Sequence, residues 1–375
     1  MNPKKIVILG SAHPLRGGLS AFNERLAYQL QAEGHDVQIY TFSLQYPNFL
    51  FPGTTQYSDE PAPANLKIEI KANSINPLNW IKVGRELKKL RPDLLVVKFW
   101  LPFMGPCFGT ILRILKRNKH TRVVSVLDNV IPHENRIGDR PFTQYFLKTV
   151  DACIAMSRSV QADLKSLQPS IPCAFIPHPL YDHFGAVESN SRARASLKIG
   201  ENEKVILFFG FIRKYKGLDI LLEAMADERI RAAGIKLLVA GEFYEDANFY
   251  TDLINTLDIA SSCMMHTDFI PNSEVATYFN AADVVVQPYR TATQSGISQM
   301  AYHFEKPMIV TNVGGLPEIV PDGKVGFVTE VSAQAIAEAI LTFFSDKQAE
   351  KLVAGVKEEK LKYEWHHMSA AILNA

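Results

Sequence analysis

The sequence predicts an α/β protein made of two doubly wound domains, each around a mostly parallel sheet. Three observations predict it. Short apolar runs alternate with helix-like segments along the whole chain. The alternation restarts after a polar stretch from Glu188 to Glu203. A length of 375 residues also exceeds what one ordinary core accommodates.

The first series of strands reads KIVIL, VQIYTF, KIEI, LLVVKFW, RVVSVL, ACIAM and CAFIP. Most are continuously apolar, the pattern of a parallel sheet covered on both faces. Helix-periodic segments such as Ser20 to Glu33 and Ser159 to Leu167 separate them. The opening MNPKKIVILG is too short in apolar residues for a signal-peptide core and reads as the first strand. The second series reads VILFFG, KLLVAG, CMMHTDF, VVVQPY, MIVTN and GFVT, so a domain boundary is expected between about His178 and Lys204. Two such domains are expected to face each other across a cleft at the carboxyl ends of their strands, where ligands bind in folds of this kind.

The loops after the second-series strands carry the chemistry. After VVVQPY, the polar TATQSG segment leads into a helical pattern of Ile297, Met300, Ala301 and Phe304. A helix beginning near Ser295 and Gly296 offers free N–H groups and a positive dipole end to a phosphate. After MIVTN, Gly314 and Gly315 let a ligand approach the main chain. After LFFG, the turn at Gly210 is followed by Arg213 and Lys216, two cations ahead of an amphipathic helix led by Gly217. Arginine can grip a diphosphate bidentately, with lysine beside it as a point charge. LLVAGE ends another strand at Gly241 and Glu242.

Composition and charge bound the class. Apolar content of 47% with 21% charged residues describes a soluble globular enzyme, and the formal net charge is +1. Cys107, Cys153, Cys173 and Cys263 show no paired spacing, so neither a zinc site nor a disulfide framework is expected, and a cytoplasmic setting fits. No run is long and apolar enough to span a bilayer. Charge is concentrated locally: Lys82, Arg85, Lys88, Lys89, Arg91, Lys98, Arg113, Lys116, Arg117, Lys119 and Arg122 face only Glu86 and Asp93. Apolar spacing at Trp80, Val83, Leu87 and Leu90, and again at Phe108, Ile111, Leu112 and Leu115, predicts two amphipathic helices with cationic outer faces. These either are solvated or dock on an anionic membrane surface through Lys82, Arg85, Lys88, Lys89, Arg113, Lys116 and Arg117. No aromatic stacking platform accompanies the charge, so nucleic acid is not expected as a partner.

Taken in order, LFFG, IRKYKGLDILLEA, VAGE, AADVVVQPY, TQSG and GGLPE resemble the family-4 retaining glycosyltransferases of GT-B fold, a superfamily shared with glycogen synthases. The resemblance extends over nearly the whole chain. In the first half, Gly17 and Gly18 resemble the family's glycine loop, and VLDNVIPHEN its acceptor-side segment. YEWHHMSAAI is similar to the family's last helix, which crosses back to the first domain. The implied organisation is an acceptor-side domain over 1–185, a nucleotide-sugar domain over 186–355 and a returning helix over 356–375. The implied reaction moves a hexose-type sugar from a UDP- or GDP-sugar to a glycan or lipid-linked acceptor with retention, in cell-surface polysaccharide assembly. No metal or other cofactor is implied. Arg213 and Lys216 would offset charge on the departing diphosphate, helped by Thr293, Gln294, Ser295, Gly296 and the first-domain glycines. The acceptor would attack the face from which the diphosphate leaves, with the diphosphate as base. The close carboxylate pair of a retaining glycosidase has no persuasive counterpart here.

Three positions depart from the family. Its glutamate pair falls on Ala292 and Met300, leaving Thr293, Gln294, Ser295, Gln299 and the matching Glu318 as donor-binding candidates. The arginine expected directly after Gly210 is Phe211, with Arg213 two residues on. The histidine expected before Asn129 is Asp128, whose role is shared with or passes to His133. A nucleotide-sugar epimerase of the same fold and a non-catalytic sugar-nucleotide-binding relative are the alternatives. A dinucleotide oxidoreductase is disfavoured because GSAHPLRGG lacks the GxGxxG pattern.

Overall fold

A computed structural model of the chain describes residues 2–47, 55–58, 61–131, 138–292, 295–345 and 347–375. His133, Thr293 and Gln294 lie outside the described residues. The chain divides into two compact units. Unit 1 comprises Met1–His178 with Trp365–Ala375, and unit 2 comprises Pro179–Glu364.

In unit 1 the order is β1 (Lys5–Leu9), α1 (Gly18–Ala32), β2 (Asp36–Leu44), β3 (Lys67–Asn73), α2 (Pro77–Leu90), β4 (Leu94–Phe99), α3 (Gly105–Leu115), β5 (Arg122–Leu127), α4 (Asp139–Leu147), β6 (Ala152–Ala155), α5 (Arg158–Leu167) and β7 (Cys173–Phe175). The seven parallel strands lie in the order β3-β2-β1-β4-β5-β6-β7. Side chains alternate between two buried faces. Val7, Leu9, Val97 and Phe99 meet Val83 and Leu87 of α2 and Phe108, Ile111 and Leu115 of α3. Ile6, Ile8, Val96 and Val126 meet Phe22, Leu26 and Leu30 of α1. Two-sided burial explains why these strands read as unbroken apolar runs. α2 starts where Asn76 accepts hydrogen bonds from the Leu78 and Asn79 N–H groups ahead of Pro77, and ends at the left-handed Arg91.

Unit 2 runs α6 (Asn190–Ser196), β8 (Lys204–Phe209), α7 (Leu218–Met225), α8 (Glu228–Ala232), β9 (Ile235–Ala240), α9 (Ala247–Thr256), β10 (Cys263–His266), α10 (Val275–Ala281), β11 (Val284–Gln287), α11 (Gly296–His303), β12 (Met308–Thr311), α12 (Leu316–Ile319), β13 (Gly326–Thr329), α13 (Ala333–Phe343) and α14 (Gln348–Lys360). Its six parallel strands follow β10-β9-β8-β11-β12-β13. Sheet order therefore reverses between β8 and β11, and in unit 1 between β1 and β4. Such switch points open a crevice at the carboxyl ends of the strands. At the opposite end of β8 and β11, Arg194 is 4% exposed. It donates to both oxygens of Asp283 at 2.9 and 3.0 Å and to the Ala281 carbonyl, while Asp283 accepts the Val205 N–H. This ion pair, buried on its arginine side and half-buried on its carboxylate side, ties the two central strands together.

The last helix, α15 (Trp365–Asn374), belongs to unit 1. Trp365 packs on Phe22 at 5.1 Å between ring centroids, under the guanidinium of Arg25. Met368 and Ile372 complete the α1 face, and the Lys4 ammonium donates to the Leu373 carbonyl.

The basic surface expected between Lys82 and Arg122 needs one correction. Lys98 is 2% exposed and sits inside β4, because a central strand covered on both faces offers a charged side chain no route to water. Two further cations are engaged. Arg113 donates to the Gly109 and Tyr145 carbonyls and stacks 3.5 Å from the Tyr145 ring, and Lys116 pairs with Asp151 at 2.6 Å. α2 keeps its exposed cationic face, with Lys82, Arg85, Lys88 and Lys89 in solvent. Among the described residues no helix is long and apolar enough to cross a membrane.

Candidate functional site

In unit 2 the loops leaving β8, β9, β11 and β12 converge at the switch point, and their glycines set how closely they meet. A Cβ placed on Gly210, whose φ is +94°, would lie 3.1 Å from the Lys216 ammonium nitrogen and 3.4 Å from Cδ1 of Ile297. Lys216 therefore reaches back across its own turn to the first residues of α11. Gly314, at φ +53°, would drive a Cβ to 1.4 Å from the Ala292 carbonyl oxygen. That glycine is demanded by the neighbouring loop's backbone as well as by any ligand. Gly241 backs onto the Gly210 carbonyl in the same way.

Electrostatics at this point favour an anion. Lys216 is half-buried, and burial first and the charge of Arg213 second push its pKa down to about 8. Arg213 is exposed, its guanidinium 4.9 Å from the Tyr244 ring, which packs on Phe211 with the two rings tilted at 56°. α11 begins at Gly296, and the Ser295 hydroxyl gives its N–H groups no side-chain cap. The ring of Tyr181 packs so closely on Gly296 that a Cβ there would lie 2.7 Å from it. Gln299, one turn into α11, is 2% exposed, with its side-chain oxygen unpartnered among the described residues. An ammonium, uncapped helix N–H groups and close-approach glycines together suit a phosphate-bearing ligand.

Gly315 and exposed Glu318 open α12, and Glu242 is half-buried after β9. Gly17 (φ +104°) and Gly18 are exposed at the start of α1, without a side-chain cap, and Asp128 follows β5; both features occupy the carboxyl edge of the unit 1 sheet. No group of three potential metal-ligating side chains occurs among the described residues.

Sequence reasoning missed the brace of the β8 loop. Arg290, just after β11, donates to both oxygens of Asp219 at 2.7 and 2.8 Å and to the Lys214 carbonyl at 2.9 Å, while its N–H donates to the Tyr215 carbonyl. Nothing local marks this pair, because its members are 71 residues apart. The second omission is Lys98, which pairs with Asp128 at 3.0 Å.

Two Rossmann-like units, one with a cation and a helix start at its switch point, are the architecture of GT-B proteins. Comparison with known proteins gives the same answer. The model for "Glycosyltransferase Family 4" matches residues 16–180, and that for "Glycosyl transferases group 1" matches 189–359. The chain belongs to the family-4 glycosyltransferases of GT-B fold. It is similar to the D-inositol 3-phosphate glycosyltransferase of Segniliparus rotundus, 32% identical over 141 residues, covering 37% of this chain and 31% of that one. It is also similar to the lipopolysaccharide 1,2-N-acetylglucosaminetransferase of Salmonella typhimurium, 22% identical over 267 residues, covering 68% and 67%. The match thus spans about a third of the first relative. Among solved structures, HepE of Anabaena in complex with UDP superimposes with a TM-score of 0.72 at 15% identity, over 99% of this chain and 98% of that one.

Proposed function

We propose that the protein is a retaining transferase that moves a hexose-type sugar from a UDP- or GDP-sugar to a glycan or lipid-linked acceptor in cell-surface polysaccharide synthesis. The observation that carries this reading is the Lys216 ammonium lodged between the Gly210 turn and the start of α11. In this role Lys216 and Arg213 take the charge that develops on the departing diphosphate, and the α11 N–H groups bind the same oxygens. Preorganised charge of this kind often supplies the largest catalytic term, with one contact worth roughly a hundredfold in rate. Thr293, Gln294, Ser295 and Gln299 take sugar or ribose hydroxyls where the family uses glutamates. The buried acceptor oxygen on Gln299 is suited to that. Gly17 and Gly18 bind the donor diphosphate, and Asp128 and His133 belong to the acceptor side. No metal or other cofactor enters this scheme, because the two side-chain cations supply the positive charge. Relatives support the substrate classes: the Salmonella enzyme is named for lipopolysaccharide, and HepE is a UDP complex.

Peripheral attachment to the cytoplasmic face of the inner membrane is part of the same proposal. Leu78 is 78% exposed at the start of α2 and continues the row of Lys82, Arg85 and Lys89 along one helix face, with exposed Ile75 beside it. Cations flanking exposed aliphatic groups match an anionic bilayer surface.

The test is a panel of UDP- and GDP-sugars with alkyl glycosides as acceptors, followed by the anomeric configuration of any product. Retained configuration in a transferred sugar supports the proposal. Donor turnover that ignores the acceptor indicates an epimerase, and no nucleotide binding at all indicates a non-catalytic relative.

A further inference from the structure

Lys98 is the one charge that β4 carries into the interior of unit 1. It points to the face shared by Val96, Val126 and Phe22, and its ammonium nitrogen lies 3.4 Å from the centroid of the Phe22 ring. Its side chain is 3% exposed, and its ionic partner is Asp128, 3.0 Å away and 22% exposed. The Asp128 N–H donates in turn to the Phe99 carbonyl at 2.9 Å, so both main chain and carboxylate are anchored. Burial pushes the Lys98 pKa down, and Asp128 opposes that shift. A lysine this deep is costly to maintain and cannot itself reach a ligand in solvent. It can act only through the carboxylate, which is partly open at the carboxyl edge of the sheet beside the β1–β4 switch point.

We infer that Lys98 is a positioning residue for glycosyl transfer: it fixes the Asp128 carboxylate so that its second oxygen accepts a hydroxyl of a neutral sugar acceptor. This rests on the acceptor-side role given to Asp128 above. The Lys98 ammonium is engaged by Asp128 Oδ1 and the Phe22 ring, and the Asp128 carboxylate, 22% exposed, suits a hydroxyl donor and repels a phosphate.

The experiment compares the full-length protein with Lys98→Met, Lys98→Arg, Asp128→Asn and the Lys98→Met/Asp128→Asn double variant, using UDP-glucose and octyl β-D-glucopyranoside as probes. Lys98→Met is expected to raise the acceptor KM about tenfold while the affinity for UDP stays within about twofold, and Lys98→Arg to recover part of the loss. In the Asp128→Asn background, Lys98→Met should add nothing further, because its effect passes through that carboxylate. Kinetics for Lys98→Met equal to wild type, or an equal loss in the Asp128→Asn background, would overturn the assignment. Urea denaturation provides an arm that needs no acceptor. Asp128→Asn should lower the folding equilibrium constant about a hundredfold by stranding the ammonium, and the double variant should regain at least about tenfold. Simply additive losses there would overturn the pairing. If the wild type transfers sugar to no acceptor, it is the proposed function that fails, and the denaturation cycle still decides the pair.

Discussion

The ammonium of Lys216 stands so close to the turn at Gly210 that even one added carbon on the glycine would press against it, at 3.1 Å. A chain turn and a cation separated by five residues thus form one surface, and that surface faces the start of α11. Neither the glycine nor the lysine makes an anion site alone.

Nucleotide binding should follow the ionisation of this lysine. Its pKa of about 8 in the free protein means that the ammonium is present below that value and lost above it. Affinity for UDP is expected to hold between about pH 7 and 8 and to fall by up to about tenfold per unit above it. Stability has the opposite sign. The folded pKa lies below the usual 10.5, so between about 8 and 10.5 the unfolded chain binds more protons and the lysine's unfavourable contribution is relieved as pH rises. Lys306, also pushed down to about 8, adds the same sign. Subtracting the urea-denaturation profile of Lys216→Met from that of wild type isolates Lys216, and a flat difference above pH 8 would contradict the assignment.

The β8 loop should depend on Arg290. Arg290→Ala removes two charge-assisted bonds to Asp219 and the one to the Lys214 carbonyl, and is expected to cost about 1–3 kcal/mol of stability. Calorimetry should show UDP affinity reduced by roughly tenfold, because the loop carrying Arg213 and Lys216 loses its brace. Unchanged affinity would show that the loop holds its shape without it.

Two glycines separate backbone conformation from crowding. Gly323 has φ +68° with open space around it, whereas Gly314 has φ +53° and a carbonyl where its Cβ would lie. Gly323→Ala is expected to cost about 1 kcal/mol, the strain of a left-handed alanine. Gly314→Ala should cost at least about 3 kcal/mol and displace the backbone at Ala292, as read by urea denaturation and nucleotide binding.

Membrane attachment should reside on α2 alone. Lys82→Glu with Lys89→Glu, or Leu78→Asp, is expected to abolish co-sedimentation with vesicles containing phosphatidylglycerol. Lys116→Gln should leave it intact, since that ammonium already serves Asp151. Binding that ignores salt or anionic lipid would remove the proposal.

The fold was legible because most strands of both sheets are apolar runs, as in VILFFG and MIVTN, although β3 (KIEIKAN) alternates charge. The Gly210 turn and the start of α11 were legible as strand-to-helix junctions. What each glycine touches was not, because Ala292 and Gly314 meet only in three dimensions. Lys98 was misplaced on the surface, although its own strand carried the signal: a charge inside LLVVKFW has apolar neighbours on both faces of a central strand. The Arg290–Asp219 brace left no local trace. His133, Thr293 and Gln294 lie outside the described residues, so their roles stay within the proposal.

The most direct test is calorimetric titration of UDP and GDP into the wild type and Lys216→Met at pH 7. The account predicts that one of the two nucleotides binds the wild type and that the substitution weakens it roughly a hundredfold, with the far-UV circular dichroism unchanged. Wild-type affinity in a folded Lys216→Met protein would contradict it.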